Sequence, residues 1–544
     1  MPNDPSAMQL VLHRNPDRSF IEMLNNDVLH IIAEKLECGP GFKDLAAFRL
    51  VCKKFVGPAT TSLFRTVILC PTIASMLRWT NIQSHSALKL VPTRIVLHTT
   101  AFPDWMRGWE RFIFFEDTAF DLFHEEQGTY EAWKKILAND PESHTIGKEA
   151  LLNNLATQDE YCEVLSSLDG FPNISAVEVK FTQRTGNEEN DIEHLPYRQE
   201  VLMLVFRSLA TFTKKDKSIQ SLTIKNLPTE PLPELEHSSA FKEVLPKLQE
   251  LHIQFCHRGQ YYHGKWLFMN HFIPTWLVPA SEKLQELTLY HLTCQVGFCP
   301  IFCPNRFQLE LPNLTSLSLG RLAFTSEDQF NWILKHKTLE RLILDQCLIN
   351  HQGTFVETDL QHWQPTIDVS DLVPIVDDDL LEERGMITTK FHGRWHSFFD
   401  RVRKDLVELK EFRIGIGPWA SNGEVVKVPM ALRYERPDGT KKEVVFDMVR
   451  PSDQAFDKRD ELPTTFFRAG IYAGFLVDER RILFLIQPDR ITGTYLNPKF
   501  LPCPDDESPA NTCWDLDTRA LGALLEEVES RRHKKQRRSS TARS

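Results

Sequence analysis

Leu284-Gln-Glu-Leu-Thr-Leu289 is a six-residue stretch with apolar side chains at its first, fourth and sixth positions. The same pattern recurs in six other stretches, at residues 174–179, 219–224, 248–253, 314–319, 339–344 and 409–414. In each stretch one residue separates the last two apolar residues, which is the period of a β-strand that buries a single face. The seven stretches therefore predict seven strands.

Helical patterns lie between the predicted strands, for example at residues 201–212. Another helix is expected after Ser326, because Ser326 and Gln329 have the spacing of a capping box. Strands that alternate with helices predict a parallel sheet. Two architectures show this alternation: a solenoid of stacked repeats, and a doubly wound α/β domain.

The stretches resemble a degenerate array of leucine-rich repeats, in which Cys256, Cys294 and Cys347 lie at or near the position that often holds Asn or Cys. Their central residues are 25 to 70 positions apart, whereas regular repeats are about 20 to 29 residues long. The repeated pattern favours a solenoid with insertions. The longest interval holds an acidic insertion at about residues 350–390, where residues 357–384 have nine acids and one Arg.

The composition excludes several classes of protein. The chain has 544 residues, 42% of them hydrophobic and 25% charged, which predicts a globular protein of two or three domains. Its apolar runs are far shorter than the about 20 residues that span a bilayer, so we expect no membrane segment and no membrane partner. The net charge of −11 makes nucleic acid an unlikely partner. Eleven scattered cysteines predict reduced thiols in the cytoplasm, the nucleus or both.

The N-terminal region predicts a small helical module. Residues 24–36 (LNNDVLHIIAEKL) have apolar residues at helical spacing, and residues 38–41 (CGPG) break the chain. A second apolar segment follows at residues 44–69. A module of about fifty residues buries too little surface to hold all these large side chains. Some of them should therefore face a partner or the next domain.

Residues 49–55, Arg-Leu-Val-Cys-Lys-Lys-Phe, resemble the F-box motif Leu-Arg-x-Val-Cys-Lys-x-Phe, and residues 24–32 resemble its first line. Asn25 stands where the family usually has proline. Gly393-Arg394-Trp395 is similar to a stretch in fungal F-box receptors. The resemblance implies binding to a Skp-type adaptor and a cullin. It assigns the adaptor contacts to the apolar side chains Leu24, Val28, Leu29, Ile32, Leu36, Leu45, Leu50, Val51 and Phe55.

The predicted fold class is α/β: an N-terminal three-helix F-box, then an irregular leucine-rich-repeat-like solenoid, then a small mixed α/β C-terminal region. The predicted boundaries are residues 19–70, 71–417 and 418–530. The C-terminal region should contain hairpins at residues 428–448 and 471–487 and a helix at residues 516–528. Residues 531–544 predict a disordered basic tail, which is a nuclear-import signal, a nucleic-acid patch or merely a solvated end.

No familiar catalytic motif is present, so we expect no enzyme activity, cofactor or metal. The best metal candidate is Cys294, Cys299 and Cys303 near His291, but structural zinc sites use tight cysteine pairs that this spacing does not supply. Loop or buried thiols are the simpler interpretation. His392 and His396 share helical spacing but have no third ligand close by in the sequence.

The residues that alternate with the strand leucines should face the open side of the sheet. Thr223, His252, Thr288 and Ser318 are therefore the candidate contacts for an unknown protein substrate. The leading hypothesis is a substrate receptor of a cullin ubiquitin ligase. The alternatives are an F-box scaffold outside any ligase, and an enzyme with an unrecognised site in the C-terminal region.

Overall fold

The computed structural model describes most of the chain, with gaps. The described residues are 24–37, 42–99, 157–181, 195–214, 219–256, 271–291, 309–320, 322–324, 326–345, 347–356, 373–375, 386–390, 392–415, 426–435, 440–450, 472–478, 481–485 and 513–541.

The described α-helices are named in chain order. They are α1 (Asn26–Glu37), α2 (Phe42–Val51), α3 (Lys53–Arg65), α4 (Ile73–Ser84), α5 (Gln158–Ser166), α6 (Leu195–Lys214), α7 (Pro233–His237), α8 (Ser239–Val244), α9 (Val278–Ala280), α10 (Glu327–Lys335), α11 (Trp395–Asp405) and α12 (Trp514–Thr541). Short 3₁₀ turns span Leu88–Leu90, Leu168–Gly170 and Leu245–Lys247, and a π-helical turn spans Ile273–Leu277.

The described strands are named in the same way. They are β1 (Thr66–Leu69), β2 (Arg94–His98), β3 (Ala176–Lys180), β4 (Ser221–Pro228), β5 (Glu250–Cys256), β6 (Glu286–His291), β7 (Ser316–Gly320), β8 (Ala323–Phe324), β9 (Arg341–Asp345), β10 (Leu348–Val356), β11 (Val373–Ile375), β12 (Met386–Lys390), β13 (Glu411–Gly415), β14 (Val426–Glu435), β15 (Lys441–Arg450), β16 (Tyr472–Asp478) and β17 (Arg481–Leu485).

Nine of these strands form one parallel sheet in the order β1-β2-β3-β4-β5-β6-β7-β9-β13. All seven stretches with the repeated apolar pattern supply a strand of this sheet, from β3 to β13. The apolar pattern positions of neighbouring strands pair with one another: Leu251 of β5 lies beside Leu287 of β6, which lies beside Leu317 of β7. The repeated pattern in the sequence thus becomes a row of identical positions across the sheet.

The predicted leucine-rich-repeat-like solenoid is wrong. The described residues form an α/β fold built on the nine-stranded sheet, and its first two strands come from outside the seven predicted stretches. The crossovers between successive strands also differ in length and in secondary structure. The crossover from β3 to β4 carries the 20-residue helix α6, whereas the passage from β9 to β13 contains strands of a second sheet. A solenoid needs similar units that stack only on their neighbours.

One face of the large sheet is apolar and fully covered. Leu222, Leu251 and Leu287 are at most 1% exposed, and they belong to the same hydrophobic cluster as Val201 and Phe206 of α6. Residues of α4, α5, α8, α10, α11 and α12 belong to this cluster as well. Burial of each leucine side chain stabilises the fold by about 1.5–3 kcal/mol, so this face provides the main core.

The second sheet has six strands and mixed pairing. Its central strand β10 pairs in parallel with β8 and β16 and antiparallel with β12. Strands β10, β11 and β12 come from the stretch predicted as an exposed acidic insertion, so parts of that stretch are sheet, while residues 357–372 and 376–385 lie outside the described residues. The two predicted hairpins are confirmed, because β14 pairs antiparallel with β15 and β16 with β17.

The last helix, α12, packs on the end of the core. Its residues Leu521, Leu524, Leu525 and Val528 are buried in the main cluster, which confirms the predicted helical face. The helix continues to Thr541, although the sequence predicted a disordered tail from residue 531. A tertiary contact orders the first residue of this stretch: the Arg531 guanidinium donates hydrogen bonds to the carbonyl oxygens of Arg403 and Leu406, at 2.7 and 2.6 Å.

Candidate protein-binding surfaces

The helices α1, α2 and α3 form a three-helix module with a small core of its own. Ala33, Leu45 and Ala59 are fully buried together, and Leu36, Phe48 and Leu63 pack against them. Phe55 is 1% exposed, and its ring stacks on Phe48 at a centroid distance of 4.4 Å. Leu29 is also fully buried.

Several large apolar side chains of the same module stay in solvent. Leu50 is 85% exposed, Val51 63% and Ile31 55%, and Val56 and Val28 are 40% and 37% exposed. Leu50 and Val51 end α2, and Val56 lies in the first turn of α3, so three of the five flank one turn of the chain. We call residues 49–56 the α2–α3 corner.

Two polar contacts fix the start of α1, which carries Val28 and Ile31. The side-chain oxygen of Asn25 accepts a hydrogen bond from the Val28 N–H at 2.8 Å, as an N-cap residue does. The Lys54 ammonium of α3 donates to the carbonyl oxygen of Leu24. Val28 and Ile31 are three positions apart on α1 and therefore lie on one side of that helix.

The structure divides the nine predicted adaptor contacts into three groups. Leu50, Val51 and Val28 are exposed. Leu24, Ile32 and Leu36 are half-buried, and Leu29, Leu45 and Phe55 are core residues that a partner does not reach in this structure. Ile31 and Val56 are exposed and were missed, because they lie outside the motif positions that carry the F-box resemblance. Helical spacing from Val28 is the signal that finds Ile31.

The face of the large sheet opposite the apolar core, which we call the open face, carries the four predicted substrate contacts. They form one row across adjacent strands, because Thr223 pairs with His252, His252 with Thr288, and Thr288 with Ser318. The His252 ring nitrogen Nδ1 and the Thr288 hydroxyl are 2.8 Å apart. Thr223 is buried at 9% exposure, and the other three are half-buried.

Charged residues on this face pair across strands. Arg341 lies 3.4 Å from a carboxylate oxygen of Glu286 and 3.9 Å from one of Glu411. On β3, burial acts to raise the pKa of Glu178, but Lys225 at 2.9 Å and Arg94 outweigh burial and hold this pKa below its usual value. The open face is therefore polar and mixed in charge, and its ion pairs range from half-exposed at Arg341 to buried at Glu178 and Lys225.

No protein-family model matches this sequence, and no curated protein matches it either. The F-box resemblance consequently depends on the residues quoted above and on the geometry of the module.

Possible metal ligands are scattered through the described residues. In that part of the chain no group of three His, Cys, Asp or Glu side chains is arranged to hold a metal ion. Cys294, Cys299 and Cys303 lie outside the described residues, and so does the side chain of His291. His396 contacts Asp517. Its Nδ1 lies 2.9 Å from the Asp517 carboxylate, which also accepts a hydrogen bond from the His396 backbone N–H.

None of the helices in the described ranges is both long and apolar enough to cross a bilayer.

Proposed function

We propose that this protein is the substrate-recognition subunit of an SCF-type cullin ubiquitin ligase. The three-helix module binds a Skp-type adaptor, which connects the chain to the cullin. The open face of the large sheet binds a protein substrate. The protein positions the substrate for ubiquitin transfer and performs no chemistry itself. The proposed compartment is the cytoplasm, the nucleus or both.

The observation that carries the proposal is the exposure of Leu50 and Val51 at the α2–α3 corner. Burying two such side chains in a complex contributes about 1.5–3 kcal/mol each, which is a strong driving force for association. The motif that resembles an F-box spans this corner. An exposed apolar surface on the module and a motif for adaptor binding therefore coincide.

The test is co-purification of the full chain with a Skp-type adaptor after replacing Leu50→Asp and Val51→Asp together. Because both side chains are exposed in the free chain, the substitutions leave its core intact. In the complex each buried, unpaired charge costs several kcal/mol. We expect adaptor recovery to fall at least about a hundredfold.

Val407→Asp is the matched control, since Val407 is 59% exposed and lies outside the module. Equal adaptor recovery from the double variant and the control contradicts the proposal. Adaptor binding without cullin recruitment would favour the scaffold alternative, so the cullin is measured in the same eluate.

A further inference from the structure

The α2–α3 corner is strongly basic in an acidic protein. Residues 49–56 contain Arg49, Lys53 and Lys54 and no Asp or Glu, while the whole chain has a net charge of −11. Lys53 and Lys54 are exposed, and Arg49 is half-buried. The cations therefore stand beside the exposed Leu50 and Val51.

The positions of Lys53 and Lys54 are electrostatically unfavourable for helix α3. Lys53 and Lys54 occupy the first turn of α3, which contains no acidic residue, and the N-cap residue Cys52 makes no side-chain capping hydrogen bond. The first turn of a helix carries partial positive charge, so cations are unfavourable there. Lys54 has a structural contact, because it donates to the Leu24 carbonyl oxygen. The charge of Lys53 has no comparable structural explanation in its helix.

We infer that the partner surface covering Leu50 and Val51 carries carboxylates at the edge of an apolar groove. This inference rests on the proposed function and specifies the chemistry of the adaptor face: apolar opposite Leu50 and Val51, and acidic opposite Arg49 and Lys53. Charges at the rim of an interface act mainly on the association rate, whereas buried apolar contacts act mainly on dissociation.

The experiment measures association and dissociation rates of the full chain with a purified Skp-type adaptor at about 0.01 M and about 0.1 M ionic strength. The Debye length falls from about 30 Å to about 10 Å between these conditions. The wild-type association rate should fall as salt rises. At low salt, Lys53→Glu should lower that rate about three- to tenfold, with dissociation unchanged within about twofold. Lys53→Gln should give a smaller decrease in the same direction.

Lys242→Glu on α8 is the control, because Lys242 is likewise exposed and lies far from the module in sequence. The inference is overturned if the wild-type association rate does not change with salt. It is also overturned if the Lys53→Glu variant binds as fast as the control. In both cases adaptor binding itself remains intact. If Lys53→Glu does not fold, the Lys53→Gln rate decides in the same way. Absence of any binding by the wild-type chain overturns the proposed function and, with it, this inference.

Discussion

At the scale of single residues, Asn25 shows how one side chain fixes the start of the three-helix module. Its carboxamide oxygen caps α1 at the Val28 N–H, and its carbonyl oxygen accepts the Leu29 N–H at 3.2 Å. Asn25 stands where the F-box family usually has proline, which fixes the chain without a side-chain hydrogen bond. The cap gives this chain a different means of fixing the same turn.

We predict that Asn25→Ala destabilises α1 by about 1 kcal/mol, because a backbone N–H loses its cap. Hydrogen exchange of residues 26–37 is the measurement, and faster exchange confined to α1 is the expected result. Asn25→Asp should keep the wild-type rate, since Asp is an equally good N-cap. Unchanged exchange in the alanine variant would show that the Lys54 contact alone holds the turn.

At the scale of elements, side chains of α12 bind the backbone at both ends of α11. The Asp517 carboxylate, 3% exposed, accepts the His396 N–H at the start of α11, where the helix dipole favours a negative charge. Arg531 binds the carbonyl oxygens of Arg403 and Leu406 at the other end, where the dipole favours a positive charge. Between them, Leu521, Leu524 and Leu525 fill the interface.

We predict that Arg531→Gln destabilises the protein by about 1–3 kcal/mol, because two partly buried carbonyl oxygens lose a charged donor. Urea unfolding is the measurement. Arg532→Gln is the control: Arg532 is 61% exposed and only 3.8 Å from Glu529, so its loss should cost under about 1 kcal/mol. Equal losses of unfolding free energy in the two variants would mean that the Arg531 contacts do not stabilise the packing of α12 on α11.

The sequence predicted the strands of the large sheet better than the segments that connect them. Alternation identified seven strands, because a strand with one buried face needs an apolar residue at every second position. Phe64-x-x-Val67-x-Leu69 shows the same pattern, and Val67 and Leu69 lie in β1, but in the sequence this segment reads as part of the helical module. The pattern describes a single strand and not the crossover between strands, which is why the solenoid prediction failed.

The binding surfaces were only partly predictable for a similar reason. Leu45 and Leu50 are both apolar residues of one predicted helical segment, so the sequence does not distinguish them. Only the packing of the three helices decides that Leu45 is buried and Leu50 is 85% exposed. The anchoring of Arg531 in α12 likewise depends on carbonyl oxygens 125 and 128 positions away along the chain. Contacts at such separations leave no local pattern.

At the scale of the whole molecule, one continuous core supports nine strands, and it encloses ionisable groups. His336, at the end of α10, is 5% exposed and packs edge-on against Trp332 at 4.7 Å. Burial is the largest influence on its ring and lowers its pKa from 6.5 to about 4. Nearby Lys335 lowers the pKa further, while the Ile333 and Trp332 backbone and the charge of Glu310 act in the opposite direction.

This burial predicts acid sensitivity. As the pH falls below 6.5, the unfolded chain takes up a proton at position 336, but the folded chain does not until about pH 4. Unfolding therefore binds protons in this window, and stability that is complete above about pH 6.5 is lost progressively down to about pH 4. At pH 5 the loss from this one ring is about 2 kcal/mol.

We predict that the free energy of unfolding in urea falls from pH 7 to pH 5, and that His336→Gln reduces this fall by about 2 kcal/mol, because glutamine has no proton to take up. His98 is a second ring whose pKa burial lowers to about 4, so the pH dependence should diminish further in the His98→Gln, His336→Gln double variant. His392→Gln removes an exposed ring and is the control. The same fall for wild type and His336→Gln would show that His336 is not buried as a neutral ring, and that the core around α10 is open to water.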